Sequence, residues 1–319
     1  MELLLTFDNN YTQHAGVTIT SFLANNPGRH TIYVISDYIS KENQAKLSAI
    51  CHEKGSSVIF QFIDVEIAKK FPVGKGTVNP DLTIATYFRL FAAEALPQTV
   101  GKVLYLDCDI VVDGSLEGLW NTEILDGKCI VGLEEMAILS IDGCRRLNYP
   151  ENYSYINAGV LLMDLQNMRS VYSLDTAIQF IQNHRDIKYH DQDVLNGLFY
   201  DKKQFMDLQY NVMDSFLVRR IEFPQRYAKQ RSAIFNPKII HFSGLIKPWH
   251  KESRNPYTYK YYEYLELTPW KEYKPLNKFC SQKSKAIYFL KQCAKWMLDT
   301  LHIKNYCYIS LPQNTTKDD

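Results

Sequence analysis

The chain has 319 residues, enough to bury a full-sized core, alone or with an accessory segment. Hydrophobic residues make up 46% of it and charged residues 22%, which excludes wholesale disorder. The formal net charge of +1 gives no electrostatic reason to expect nucleic acid as a partner.

Strands and helices alternate along the first hundred residues. Apolar runs predict strands at 3–7, 31–35 and 57–62, and apolar spacing predicts helices at 17–23 and 41–53. A further helix is predicted over residues 84–95, with Asp81 or Thr83 as its cap. Such alternation is typical of an α/β fold with a largely parallel sheet.

Later apolar runs predict the remaining strands, at 103–106, 130–132, 158–163 and 237–242, the last of them closing the core. The character of the chain changes near residue 251, where tyrosines crowd a short segment and a basic stretch follows. We therefore predict a core domain over residues 1–250 and a C-terminal helical segment over residues 251–319.

Residues 278–304 read as a basic amphipathic helix. This segment contains six lysines and a single acidic residue, Asp299. The apolar residues that share one helical face are Ile287, Leu290, Ala294, Met297, Leu298 and Leu301. Peripheral contact with an anionic membrane is one interpretation, and packing of the apolar face on the core domain is the other.

The cysteines predict a reducing compartment. Their number, seven, is odd, and no two form a Cys-x-x-Cys pair, which argues against a disulfide framework or a zinc site. No run of about 18 apolar residues is present, so no membrane span is predicted. We therefore expect a cytoplasmic protein, and its basic helix could hold it at the inner face of the cytoplasmic membrane.

The triplet Asp107-Cys108-Asp109 directly follows the apolar run 103–106. In an extended segment residues two apart point the same way, so both carboxylates can converge at the end of a buried strand, where open α/β sheets bind ligands. Two carboxylates suit Mg²⁺ or Mn²⁺, ions that complete their shell with substrate phosphates. A lone Asp-x-Asp is more often a turn, so the rest of a site is needed.

Further short motifs occur in order along the chain. They are Thr6-Phe7-Asp8-Asn9-Asn10-Tyr11, Tyr87-Phe88-Arg89-Leu90, Leu106-Asp107-Cys108-Asp109, Asn157-Ala158-Gly159, His190-Asp191-Gln192-Asp193 and the run from His241 through Gly244 and Lys247 to His250. Together they resemble glycosyltransferase family 8, especially its bacterial galactosyl- and glucosyltransferases of lipopolysaccharide assembly. The resemblance covers about residues 1–270.

This resemblance implies a fold and a reaction. The fold is a GT-A-type α/β fold, a Rossmann-like mixed sheet flanked by helices, with a C-terminal helical extension. The reaction is retaining transfer of galactose or glucose from a UDP-sugar to a glycan or glycolipid hydroxyl, with lipopolysaccharide as the leading acceptor. The alternative is a UDP-sugar-binding protein without transfer activity. A nicotinamide-dependent oxidoreductase is disfavoured because no G-x-G-x-x-G follows the first strand.

The resemblance also implies roles for individual residues. The donor-binding positions are Thr6, Asp8, Asn10, Tyr11, Arg89, Asp107, Cys108, Asp109, Asn157, Ala158, Gly159, Asp191, Gln192, Gly244 and Lys247. The metal ion, Mn²⁺ or alternatively Mg²⁺, would be bound by Asp107, Asp109 and His241. Catalytic roles fall to Asp191, Gln192 and Lys247, whose ammonium supplies a point charge for the leaving diphosphate.

The chemistry of these side chains favours one mechanism and leaves some alternatives open. Gln192 is a poor nucleophile because its amide oxygen is weakly basic, so front-face transfer is favoured over a double displacement, with Asp191 or Asp193 as the alternative nucleophile. Asp8 could instead cap a turn, and Arg89 could form a surface ion pair. The acceptor would be selected by the loops at 71–80, 136–153 and 210–232.

Overall fold

The computed structural model describes residues 1–68, 70–71, 83–184, 186–304 and 306–312. Three features of the sequence analysis lie wholly or partly outside the described residues. They are Asp81 as a helix cap, most of the 71–80 loop and the end of the C-terminal segment.

The strands are β1 (Glu2–Thr6), β2 (Thr31–Ser36), β3 (Ser57–Phe62), β4 (Lys102–Leu106), β5 (Ile110–Val112), β6 (Ile130–Glu134), β7 (Ile156–Asp164), β8 (Lys203–Phe205), β9 (Val212–Met213) and β10 (Ile239–His241). The α-helices are α1 (Thr12–Asn25), α2 (Lys41–Glu53), α3 (Val65–Ala68), α4 (Ala92–Ala95), α5 (Glu117–Trp120), α6 (Ala137–Arg146), α7 (Leu165–Val171), α8 (Leu174–Asn183), α9 (His190–Leu198), α10 (Thr258–Leu265) and α11 (Gln282–Thr300). The 3₁₀ segments are Asn9–Tyr11, Ile84–Phe91, Glu151–Tyr153, Leu208–Tyr210, Asp214–Leu217 and Gln225–Phe235.

A seven-stranded sheet is at the centre of the fold, in the order β3-β2-β1-β4-β7-β6-β8. β1 pairs in parallel with β2 and β4, and β2 pairs in parallel with β3. β7 runs antiparallel to both of its neighbours, β4 and β6. The mixed sheet implied by the family resemblance is therefore confirmed. The alternation of strands and helices in the sequence had predicted a largely parallel sheet and did not reveal the antiparallel β7.

Both faces of this sheet are buried. Leu3 and Leu5 of β1 pack in one apolar cluster, whereas Leu4 between them packs in the other. Because successive side chains of a strand point to opposite faces, a strand covered on both sides needs apolar residues at every position. This is why β1 and β4 read in the sequence as unbroken apolar runs.

A smaller three-stranded sheet has the order β5-β10-β9. The chain turns at residues 107–109 after β4, so β5 leaves the main sheet and pairs antiparallel with β10. The strand predicted at 237–242 therefore lies in this smaller sheet and does not extend the main one. This pairing places His241 opposite Ile110, next to the Asp-x-Asp triplet.

The helix predicted over 84–95 is present, but most of it is 3₁₀ rather than α. The segment Ile84–Phe91 is 3₁₀, and only Ala92–Ala95 is α-helical. Thr83 occupies the N-cap position without a side-chain capping hydrogen bond. The apolar spacing predicted helical burial correctly, because Tyr87, Phe88 and Phe91 are buried, but it does not distinguish the two helix types.

The tyrosine-rich part of the C-terminal segment packs on the core. Tyr261 of α10 is buried, and its hydroxyl is 2.7 Å from Nδ1 of His14 on α1. Asn25, also on α1, donates to the hydroxyl of Tyr264 at 2.7 Å. The domain boundary near residue 250 remains a prediction.

α11 is mostly exposed and is attached near its C-terminal end. Asp299 is buried and pairs with Arg219 and with Arg220, which lies 3.2 Å away. Within the described ranges, we find no helix with the length and apolar character needed to cross a bilayer.

Candidate active site

A cavity of about 670 Å³ opens where β1 and β4 end. Its lining includes every residue predicted for the site except Asn10, whose side chain is exposed nearby. Motifs scattered from residue 6 to residue 247 are therefore brought to one place. A cavity of this size suits a ligand as large as a nucleotide-sugar.

The first motif forms a turn at the cavity edge. Oδ1 of Asp8 accepts hydrogen bonds from the backbone N–H groups of Asn10 at 2.9 Å and Tyr11 at 3.2 Å. Asp8 thus caps the Asn9–Tyr11 segment, as the turn interpretation predicted. Tyr11 is partly exposed and lines the cavity, with its ring 5.9 Å from that of Trp249.

Three potential metal ligands converge in the cavity. One ligand atom from each of Asp107, Asp109 and His241 lies within 4.8 Å of the others. The predicted convergence of the two carboxylates is confirmed, but by a turn between β4 and β5 rather than by an extended strand. His241 completes the group because β10 pairs with β5.

In each aspartate, one carboxylate oxygen accepts a hydrogen bond from a positively charged side chain, and the other oxygen points toward His241. Oδ1 of Asp107 accepts from Arg89 at 2.8 Å, and Oδ2 is 3.8 Å from Nε2 of His241. Oδ2 of Asp109 accepts from Lys247 at 2.6 Å, and Oδ1 is 3.4 Å from the same nitrogen.

The donor set fits a divalent cation. Oδ1 of Asp109 is buried, yet it accepts no hydrogen bond from any described residue. Such an orphaned carboxylate oxygen is costly unless another group, such as an ion, satisfies it. Two carboxylates with one imidazole make a borderline-hard set that suits Mn²⁺.

Charges around the site keep Asp109 ionised, as a metal ligand must be, and favour the protonated form of His241. Burial opposes ionisation of Asp109, but the charges of Lys247 and His241 outweigh it and hold its pKa below the usual range. Burial lowers the pKa of His241, but the carboxylates of Asp109 and Asp107 outweigh it and raise that pKa. A bound cation would replace the proton on His241 as partner of the two carboxylates.

Arg89 joins the metal ligands to Asp191. Besides its bond to Asp107, its Nε lies 2.8 Å from Oδ2 of Asp191, and its Nη1 donates to the carbonyl of Ala158. Its guanidinium also stacks over Tyr105, 4.4 Å from the ring centre. Arg89 is buried, so the surface ion pair considered from the sequence is wrong.

Asp191 and Gln192 begin α9 and face the cavity. Oδ1 of Asp191 accepts from Thr86 at 2.6 Å, and burial, opposed by Arg89, raises the pKa of Asp191 to about 6. Oε1 of Gln192 accepts from the backbone N–H of Ala158 at 3.0 Å and from Nδ2 of Asn157 at 3.2 Å. The carboxylate of Asp191 and the amide oxygen of Gln192 thus already interact with other groups of the protein.

Asp193 is not positioned to act as a nucleophile. It is fully buried, does not line the cavity, and forms a bidentate pair with Arg146 at 2.8 and 3.0 Å. Its carboxylate also accepts from the backbone N–H groups of Lys188 and Tyr189. Its role is to fix the start of α9.

Sequence analysis missed three polar residues that support the site. Thr86 contacts Asp191, Glu135 contacts Asn157, and Asn211 contacts His241. Glu135 has a weak sequence signal, because it directly follows an apolar strand as the Asp-x-Asp triplet does. Asn211 belongs to no recognised motif and is 30 residues away from its partner in sequence.

The chain is similar in sequence to bacterial glycosyltransferases of lipopolysaccharide. The lipopolysaccharide 1,2-glucosyltransferase of Escherichia coli K12 is 28% identical, over 95% of this chain and 88% of that protein. The lipopolysaccharide 1,3-galactosyltransferase of Salmonella typhimurium is 26% identical, over 92% and 85%.

A solved structure shares the fold. The galactosyltransferase LgtC, crystallised with donor and acceptor sugar analogues, matches with a TM-score of 0.76 and 23% identity, over 90% of this chain and 99% of LgtC. The model of the family described as glycosyl transferase family 8 matches residues 2–253. This match covers most of the chain, and the chain therefore belongs to glycosyl transferase family 8.

Proposed function

We propose that this protein transfers a hexose, galactose or glucose, from a UDP-sugar to a hydroxyl of a cell-surface glycan, with lipopolysaccharide as the leading acceptor. The observation that carries the proposal is the cluster of Asp107, Asp109 and His241 inside a nucleotide-sugar-sized cavity. Family membership supports glycosyl transfer, and the named activities of the two lipopolysaccharide transferases support the choice of sugars and acceptor.

Mn²⁺ is the proposed cofactor, with Mg²⁺ as second choice, held by the three clustered side chains. When bound, such an ion neutralises diphosphate charge and so makes UDP a better leaving group. Lys247 adds a second positive charge at the same place, because its ammonium lies against Asp109. Gly244 leaves the loop backbone beside Lys247 uncovered by a side chain, so that phosphate can approach.

The engaged state of the polar side chains supports front-face transfer. The amide oxygen of Gln192 accepts two hydrogen bonds from protein groups. Asp191 is held by Thr86 and lies against Arg89. Neither oxygen is set to attack an anomeric carbon, so the acceptor hydroxyl would enter on the face that UDP leaves, with the departing phosphate taking its proton. Retention of configuration follows from this order of bond changes.

The test is turnover of UDP-sugars. The full chain is incubated with Mn²⁺ and a panel of UDP-hexoses, and UDP release is measured with and without lipopolysaccharide core acceptors. We expect acceptor-dependent release from UDP-galactose or UDP-glucose, and its loss in Asp107→Ala and Asp109→Ala. Binding of UDP-sugar without any release would favour the alternative of a binding protein, and mutants equal to the parent would refute the proposed site.

We also propose that α11 lies on an anionic membrane surface at the inner face of the cytoplasmic membrane. The large side chains of its apolar face are largely uncovered: Leu290 is 66% exposed, Met297 55% and Leu301 67%. Four lysines on α11 (Lys283, Lys285, Lys291 and Lys295) give the helix the charge that anionic lipid headgroups attract. Packing on the core, the other interpretation, accounts for the helix end near Asp299 and for Tyr288, whose hydroxyl lies 3.4 Å from the carbonyl oxygen of Glu252.

A further inference from the structure

Asn211 is a buried amide next to the metal ligands. It directly precedes β9, which pairs with β10, and it is fully buried outside the cavity lining. Its Oδ1 lies 2.9 Å from Nδ1 of His241, and its Nδ2 donates to Oδ1 of Asn157 at 3.0 Å. Asn211 therefore connects the histidine to the strand that carries Asn157.

The direction of each hydrogen bond in this connection is fixed by the backbone. The N–H of Gly159 can only donate, and it does so to Oδ1 of Asn157 at 2.9 Å. The group of Asn211 that faces this oxygen must therefore be its NH₂. The oxygen of Asn211 then faces His241, and it can only accept a proton from the ring.

This arrangement selects one tautomer of His241. The oxygen of Asn211 holds one proton on Nδ1, so the proton that a bound cation would displace is the one on Nε2, and the lone pair of Nε2 would then point toward Asp107 and Asp109. Without this hydrogen bond, the neutral ring could carry its proton on Nε2 and donate it to Asp109. That tautomer would occupy the nitrogen that a cation needs.

The same backbone segment also orients Gln192. The N–H of Ala158 donates to Oε1 of Gln192, and Nδ2 of Asn157 lies 3.2 Å from that oxygen and 3.1 Å from Oε1 of Glu135. A continuous polar chain therefore runs from the proposed metal ligand His241 to Gln192. Its directions are set at Ala158 and Gly159.

We infer that Asn211 is a positioning residue, which holds His241 in the tautomer that binds the metal ion through Nε2. The inference rests on the proposed metal-dependent transfer. Outer hydrogen-bond partners of metal-bound histidines contribute about 10- to 100-fold to metal affinity. Asn211 would act as such a hydrogen-bond partner of His241, without contact with the metal ion or the UDP-sugar.

The first experiment is titration of the full chain with Mn²⁺ by calorimetry. Asn211→Leu should bind Mn²⁺ about 10- to 100-fold more weakly than the parent. Asn26→Leu is the matched control: Asn26 is also a buried amide, bonded to Phe22 and Leu116 far from the cavity, and its loss should leave the affinity unchanged.

Two failures can be told apart. A parent that binds no Mn²⁺ would overturn the metal site and the proposed function with it. A parent that binds Mn²⁺, together with an Asn211→Leu variant of equal affinity, would overturn the positioning role alone. Equal losses in the Asn211 and Asn26 leucine variants would also overturn it, because they would show general destabilisation.

A second measurement does not need a folded Asn211 variant. The parent is labelled with ¹⁵N-histidine and loaded with Zn²⁺, a diamagnetic substitute, and the ring nitrogens are observed by long-range ¹H–¹⁵N correlation. The His241 signals are identified by their absence in His241→Gln. A protonated Nδ1 with a metal-bound Nε2 is expected, and the reverse assignment would refute the inference.

Discussion

At the scale of single residues, Gly159 decides how much space the metal ligands have. A Cβ at this position would lie 2.8 Å from Oδ2 of Asp107 and 3.0 Å from Nδ1 of His241. Neither neighbour can move freely, because Asp107 is held by Arg89 and His241 by Asn211. The candidate metal ligands therefore need the space that the absence of a side chain at Gly159 leaves.

Gly159→Ala should therefore weaken Mn²⁺ binding by about tenfold or more, because it displaces ligands and their hydrogen-bond partners. Calorimetric titration of the variant measures the effect. Gly101→Ala is the control, since a Cβ there meets nothing within 4 Å. If Gly159→Ala binds Mn²⁺ as tightly as the parent, the ligands can shift and the steric argument is wrong.

At the scale of elements, α9 is fixed by an ion pair that is not part of the cavity. Arg146 at the end of α6 is 8% exposed in its side chain, and Asp193 in the first turn of α9 is completely buried. The pair sets where Asp191 and Gln192 lie, because both sit on the same turn as Asp193. The neighbouring Arg145 pairs with Glu151, but both of these side chains are exposed.

Arg146→Met should lower the free energy of unfolding by about 3 kcal/mol or more, because it leaves a buried carboxylate without its charge partner. Arg145→Met, one position earlier on the same helix, should cost about 1 kcal/mol or less, as exposed pairs do. Urea unfolding of both variants gives the comparison. Similar losses in the two variants would mean that burial of the Arg146 pair has no special importance.

Also at the scale of elements, α11 has an apolar face that is largely exposed among the described residues. Leu290→Ser should weaken binding to vesicles of phosphatidylglycerol and phosphatidylcholine by about tenfold or more, since a large apolar side chain contributes about 1.5–3 kcal/mol on burial. Lys291→Gln should weaken it by about 1 kcal/mol at low salt and less at high salt.

Vesicle sedimentation measures both effects. Leu125→Ser removes an apolar side chain that is 53% exposed but far in sequence from α11, and it should leave vesicle binding unchanged. A parent that does not sediment with anionic vesicles would end the membrane proposal.

At the scale of the whole molecule, the proposed metal site connects the two sheets. Asp107 follows β4 of the main sheet, whereas His241 ends β10 of the smaller one. An ion bound by both would therefore stabilise the folded chain as a unit. Asp214, which follows β9 of the smaller sheet, also holds the C-terminal segment there, since it accepts from the backbone N–H of Gly244 at 3.0 Å and from the hydroxyl of Tyr308 at 2.7 Å.

Mn²⁺ at about 100 times its dissociation constant should stabilise the parent by about 2.7 kcal/mol, because it binds the folded state alone. Thermal unfolding with and without Mn²⁺ measures this as a rise in Tm of several degrees. Asp107→Ala should unfold at the same temperature in both conditions. A parent whose Tm ignores Mn²⁺ contradicts a site formed by both sheets.

The sequence by itself determined the α/β class, the first three strands and the identity of the site motifs. These follow from local patterns: apolar runs mark strands buried on both faces, and carboxylates directly after such a run mark a ligand-binding edge. The motifs from Thr6 to Lys247 carried the family resemblance, and the cavity lining brings them together with the exception of Asn10.

Only the tertiary structure decided how these motifs meet and what supports them. Nothing local reveals that β10 pairs with β5 and so brings His241 to Asp109, because strand pairing is a long-range contact. The buried partners of Arg89 and the role of Asn211 are equally non-local, since a hydrogen bond depends on distance in space and not along the chain. Short motifs in the sequence thus contain the candidate metal-binding side chains. The orientation of these side chains depends on residues, such as Asn211, that belong to none of the motifs.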